Sequence, residues 1–229
     1  MDVDPLTNIK PSDLAELKQS SSGRFDFLPT LWDAVNALIS PELESRLLGV
    51  QRLEETDAIR HHPLVSNLFF MSITEPDIEL RARVVKALSS VVFPNQEGNL
   101  ASETVRLHLN NCLSGMRTRQ IFALLQVADF DPNSEPMVAG LLSYCSFAGK
   151  HLSDILANRQ TPLSIRKRAA HFIGRIGFLD ALPCLERLEA RLESRKNGKQ
   201  SLIDEKVDES DEFSLLPLLK DALSLLRAP

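Results

Sequence analysis

Aromatic residues make up only 6% of this 229-residue chain, with one tryptophan and one tyrosine among them. Rings on which nucleobases could stack are therefore scarce. Cysteine is equally sparse: Cys112, Cys145 and Cys184 are odd in number, far apart and set among apolar neighbours. That pattern speaks against a disulfide framework or a zinc knuckle and predicts buried, inert thiols. No stretch approaches the roughly 20 apolar residues of a membrane span, and the opening "MDVDPLTNIK" has neither a basic nor an apolar targeting region. The protein is expected to be cytoplasmic, with no membrane partner. An excess of positive charge is missing too. Lys and Arg total 26 against 31 Asp and Glu, a net charge of −5, so any affinity for nucleic acid must come from a local patch.

Signatures of catalysis are also lacking. There is no G-x-G-x-x-G, no G-x-x-x-x-G-K and no G-x-S-x-G, and the glycines of "GRIGFLD" suit a helix end better than a phosphate cradle. His61, His62, His108, His151 and His171 form no H-E-x-x-H and pair with no cysteine at ligand spacing. The expectation is a non-enzyme with no catalytic, cofactor-binding or metal-binding residues.

What is present is Leu, Ala, Val and Ile in helical periodicity, without the period-2 runs of a sheet. "SIRKRAAHFIGRIG" aligns with "SRLLGVQRLEET", "LRARVVKALSSVV" and "MRTRQIFALLQVA". Each has an arginine (Arg46, Arg81, Arg117, Arg166), an apolar residue four later (Val50, Val85, Ile121, Ala170), and Leu or Ile seven later (Leu53, Leu88, Leu124, Ile173). On a helix these columns share one face. The arginine spacings are 35, 36 and 49 residues, matching a repeat of paired helices with about 13 residues inserted before the last copy. Second helices follow in "HPLVSNLFFMSI", "LASETVRLHLNNCL", "EPMVAGLLSYCSFAG" and "DALPCLERLEARLESR", three of them with Pro63, Pro136 or Pro183 in the first turn.

The residues "EPDIELRARVVKALSSV" and "TPLSIRKRAAHFIGRIGFLDALPCLERL" resemble the HEAT repeats, including their short bacterial form in phycobilin lyase-like proteins. The resemblance covers about residues 40 to 195 and departs from the family where "SFAGKHLSDILANRQ" adds length. It implies an all-α fold, an armadillo-like α-α superhelix of about four helix pairs with capping helices, and most often a binding or scaffolding role. Enzymes of the DNA glycosylase or bilin lyase type rest on the same fold analogy alone and rank lower.

The expected organisation is an N-terminal arm over residues 1–23, a repeat domain over 24–195 opened by a cap helix holding Trp32, a charged loop over 196–213 and a C-terminal capping helix over 214–229. The arm holds a short helix from Ser12 and a linker at Ser20 to Gly23. The last helix contains Leu-Leu-Pro-Leu-Leu, formally an L-x-x-L-L docking motif, and is read first as a cap.

Arg166 falls about 20° from Ile173 on the helical wheel, inside the apolar stripe, whereas Lys167, Arg168, His171 and Arg175 point outward. The recurring arginines are therefore expected to pack their stems and bond their heads to carboxylates or carbonyls. Arg83, Lys86, Arg119, Lys167, Arg168 and Arg175 form a possible basic surface stripe. In "PLVSNLFFMSI" a core face through Leu64, Leu68 and Met71 leaves Phe70 outward, and Leu107 likewise lies opposite Val105 and Leu109, so Phe70 and Leu107 are the candidate partner-binding residues. The expected function is a monomeric protein-interaction scaffold for a protein or peptide partner. The alternative is a nucleic-acid-associated accessory protein using the basic stripe.

Overall fold

The computed structural model describes residues 28–95, 97–196 and 212–228, and among them every regular element is helical. The chain divides into two compact units, Met1–Ala58 and Ile59–Pro229, a boundary inside the expected 24–195 domain. The expected helix from Ser12, the Ser/Gly linker and most of the charged loop lie outside the described residues. No helix among the described residues is long and apolar enough to cross a membrane.

In the first unit α1 (Leu28–Leu38) packs on α2 (Leu43–Glu55). Ala34 and Leu38 of α1 are buried, as are Gly49, Val50 and Leu53 of α2. Gly49 permits the close approach: a Cβ there would stand 2.5 Å from the Leu38 backbone nitrogen. Trp32 was expected to pack within a cap, yet it is 66% exposed; at 100° per residue it lies on the side of α1 away from the buried Ala34 and Leu38.

The second unit begins within α3 (Ala58–His61) and continues with α4 (Pro63–Met71), α5 (Ile78–Val92), α6 (Glu103–Ser114), α7 (Thr118–Phe130), α8 (Glu135–Ser143), α9 (Ala148–Ala157), α10 (Leu163–Ile176), α11 (Leu182–Lys196) and α12 (Leu216–Arg227). The starts are marked as the sequence predicts. Pro63 opens α4, Pro136 and Pro183 stand second in α8 and α11, and the Asp77 carboxylate accepts the Leu80 N–H at 2.8 Å to cap α5. Helix α10 stops at Gly177, whose φ of 89° only glycine adopts freely.

The predicted columns are buried, Val85 and Leu88 on α5, Ile121 and Leu124 on α7, and Ala170 and Ile173 on α10, and they are joined by the buried Val84, Val91, Val127 and Ala169, while Ile176 at the end of α10 is half-buried. Each fully buried Val, Leu or Ile side chain among them contributes about 1.5–3 kcal/mol. Helix α5 packs on α7, α7 on α10 and α10 on α12, while α4 packs on α6. The extra length before the last copy is a helix of its own. In α9, Ala148, Leu152, Ile155 and Leu156 are buried at helical spacing, and the helix packs on α7, α10 and α11.

Candidate interaction surfaces

The recurring arginines fulfil a common role at two positions and depart from it at two. Arg46 donates to the carbonyls of Pro41 (2.7 Å) and Ser40 (3.2 Å), five and six residues upstream. Arg81 does the same with Pro76 (3.4 Å) and Glu75 (2.6 Å), and also reaches Gln126 Oε1 on α7 at 2.6 Å. A guanidinium offers five donors in a fixed fork, so one side chain ties the entering turn to its own helix and the next. Burial lowers the pKa of Arg81, and the charges of Glu75 and Asp77 work in the opposite direction.

Arg117 is exposed and sits at the N-cap of α7, where its backbone N–H donates to Gln120 Oε1 at 2.9 Å. Its apolar columns keep phase with the other copies, but Arg46, Arg81 and Arg166 are each the fourth residue of their helix, whereas α7 starts one residue after Arg117, four positions later in register. Arg166 is buried as expected. Its head bonds the Leu156 carbonyl at 2.8 Å and Glu212 Oε1 at 2.7 Å, a carboxylate 46 residues away.

The outward face of α10 is held by Glu135, at the start of α8. His171 Nε2 donates to Glu135 Oε1 at 2.8 Å, Arg175 donates to the same oxygen, and Arg168 reaches Oε2 at 3.3 Å while its Nε lies 3.5 Å from Asp129. Burial alone would raise the Glu135 pKa. The His171 hydrogen bond and the charges of His171, Arg175 and Arg168 outweigh it and hold the carboxyl below its ordinary value. Arg168 and Arg175, two members of the basic stripe, are thus engaged with carboxylates. Lys86 and Arg119 are exposed, whereas Arg83 and Lys167 are half-buried.

Helix α4 is turned relative to the sequence-based expectation. Val65, Ser66 and Phe69 form its buried face, while Leu64 is 78% and Met71 68% exposed; Phe70 is half-buried. The proposed outward Phe70 is therefore replaced by Leu64 and Met71, about two turns apart on one side. Most residues of α4 are apolar, so periodicity does not fix its rotation, and the large Phe69 ring takes the interior. Leu107 on α6 is 63% exposed, opposite the buried Val105 and Leu109. Asn67 Oδ1 lies 3.7 Å from the Cys112 sulfur, joining α4 to α6.

That seam also places His108 Nε2 3.8 Å from Cys112. Burial pushes the Cys112 thiol pKa up, which disfavours the thiolate a nucleophile needs. Cys145 is buried and its thiol pKa is likewise raised by burial, the backbone hydrogen bond at Phe147 acting the other way. Among the described residues no group of three or more His, Cys, Asp or Glu is placed to hold a metal ion.

The remaining contacts were beyond sequence reasoning: Glu135 meets Arg168 33 residues on, Gln126 meets Arg81 across 45 residues, and Glu212 meets Arg166 across 46. No local pattern encodes them. The chain matches no protein-family model, no curated protein and no solved structure.

Proposed function

We propose that the chain is a non-catalytic interaction scaffold, a HEAT-like helical solenoid whose second-helix surface holds a protein or peptide partner. The succession α5, α7, α10, α12, with α4 beside α6, supports the repeat reading. The observation that carries the binding reading is the exposure of Leu64, Met71 and Leu107 on two helices packed together. Exposed apolar groups lose water on contact with a partner, and the helices that present them are already ordered, so little entropy is lost on binding. A cytoplasmic, monomeric protein fits the same reading. Phosphate recognition by the basic stripe is the weaker alternative, because Arg168 and Arg175 would have to leave Glu135 to take part.

Two variants separate the readings. Leu64→Asp with Leu107→Asp should abolish partner binding while circular dichroism stays helical, and Arg83→Glu with Arg119→Glu should leave binding intact. The reverse pattern would assign the function to the basic stripe and refute the apolar surface.

A further inference from the structure

Helix α6 carries a histidine and a cysteine one turn apart. His108 and Cys112 are about 40° from each other on the helical wheel, at the margin of the buried face formed by Val105, Leu109 and Leu113. This pair corrects the expectation that no histidine meets a cysteine at ligand spacing. Cys112, expected as a buried thiol, is half-buried, and so are His108 and Asn67 of α4. The thiol donates to Asn67 Oδ1 at 3.7 Å, and His108 Nε2 lies 3.8 Å from the same sulfur. A sulfur, a ring nitrogen and an amide oxygen, drawn from two helices packed together, thus meet at one place.

The separations have the size of the edges of a metal-ligand polyhedron. Zinc bonds of about 2.3 Å to sulfur and about 2.0–2.2 Å to nitrogen or oxygen, at tetrahedral angles, set the ligand atoms roughly 3.5–3.7 Å apart. Only a few tenths of an ångström separate that from the observed distances. Thiolate and imidazole suit a borderline-soft ion, whereas calcium and magnesium take oxygen ligands. Burial keeps the proton on the Cys112 thiol, and a coordinated cation removes it. The other two cysteines meet backbone carbonyls instead, Cys145 that of Met116 at 3.6 Å and Cys184 that of Ser153 at 3.7 Å.

We propose that Asn67, His108 and Cys112 form a zinc site that links α4 to α6, with solvent as the fourth ligand. The ion replaces the thiol proton and ties together two helices that side-chain packing alone otherwise joins. Because it binds the folded arrangement, it stabilises the protein in proportion to the logarithm of its concentration over its Kd. This inference goes beyond the scaffold reading and does not rest on it: the site needs neither Leu64 nor Leu107.

The test titrates the reduced, metal-free full chain with Zn²⁺ by calorimetry and with Co²⁺ as a spectroscopic probe. One equivalent of Zn²⁺ should bind, and Co²⁺ should give a thiolate-to-metal charge-transfer band with the strong visible absorption of a four-coordinate ion. Cys112→Ser should abolish the band, and Cys112→Ser, His108→Ala and Asn67→Leu should each weaken Zn²⁺ binding by about tenfold or more, the loss that even an outer-shell change produces. Cys184→Ser should leave both readouts unchanged. The wild-type chain provides a second measurement that needs no variant to fold: Zn²⁺ should slow iodoacetamide alkylation of Cys112 by about tenfold or more and leave that of Cys184 unaltered. Absence of a bound equivalent, an affinity unchanged by any one of the three ligand substitutions, or equal alkylation of Cys112 with and without Zn²⁺ would overturn the proposal.

Discussion

The Arg166 guanidinium and the Glu212 carboxylate meet at 2.7 Å, with 5% and 13% of their side chains exposed, joining α10 to the turn that opens α12. Glu212 also pairs with Arg191 at 3.2 Å and Arg195 at 3.1 Å, so removing it leaves a cluster of arginines, Arg166 buried among them, without the carboxylate they share. Glu212→Gln should therefore lower unfolding stability by about 2–4 kcal/mol in urea melts, and adding Arg166→Met should restore part of the loss. Additive losses would mean that the two side chains are not coupled.

Acid should weaken the same pairing. Burial would raise the Glu212 pKa, but the Arg166 hydrogen bond and the charges of Arg166, Arg191 and Arg159 hold it below the ordinary 4.5. A carboxyl depressed in the folded state stabilises the protein above its unfolded pKa, and that contribution is lost as pH falls through the folded value. The gap between wild type and Glu212→Gln should thus be full at pH 7 and close progressively below pH 4.5 in thermal melts. Glu135→Gln should behave similarly, since His171, Arg175 and Arg168 depress that carboxyl in the face of its burial.

The recurring arginines should separate on substitution. Arg81→Ala removes bonds to two carbonyls and to Gln126 from a buried site, and should cost about 2–3 kcal/mol. Arg117→Ala, at an exposed N-cap, should stay within about 0.5 kcal/mol. Chemical denaturation of the two variants side by side makes the comparison.

Gly174→Ala places a methyl group 2.6 Å from the Ala222 Cα, so α12 must shift. A loss of about 1–3 kcal/mol is expected, with faster hydrogen exchange in α12 than in wild type. Unchanged exchange would show that the two helices do not meet at this glycine.

Much of the helical framework is legible in the sequence because its signals are local. Pro63, Asp77 and Gly177 mark helix ends through φ restriction and capping, and the columns from Val85 to Ile173 repeat at helical spacing. Helix α9 carried the same signal, Ala148 to Leu152 to Ile155 and Leu156, and reads as an insertion only when the repeat template is imposed over it. The rotation of α4 was not legible: with apolar residues on nearly every side, the packing of Phe69 and the buried Ser66 decides it. Glu135 and Glu212 were hidden for another reason. Their partners lie dozens of residues away, and only the tertiary stacking of α8 and α12 against α10 brings them together.

The most direct test of the scaffold function is a tagged pull-down from lysate of the source cell, with and without nuclease, comparing wild type with Leu64→Asp and Leu107→Asp combined. The predicted result is a stoichiometric protein partner that survives nuclease and is lost with the double variant. Recovery of nucleic acid, with proteins released by nuclease and retained by the double variant, would contradict it.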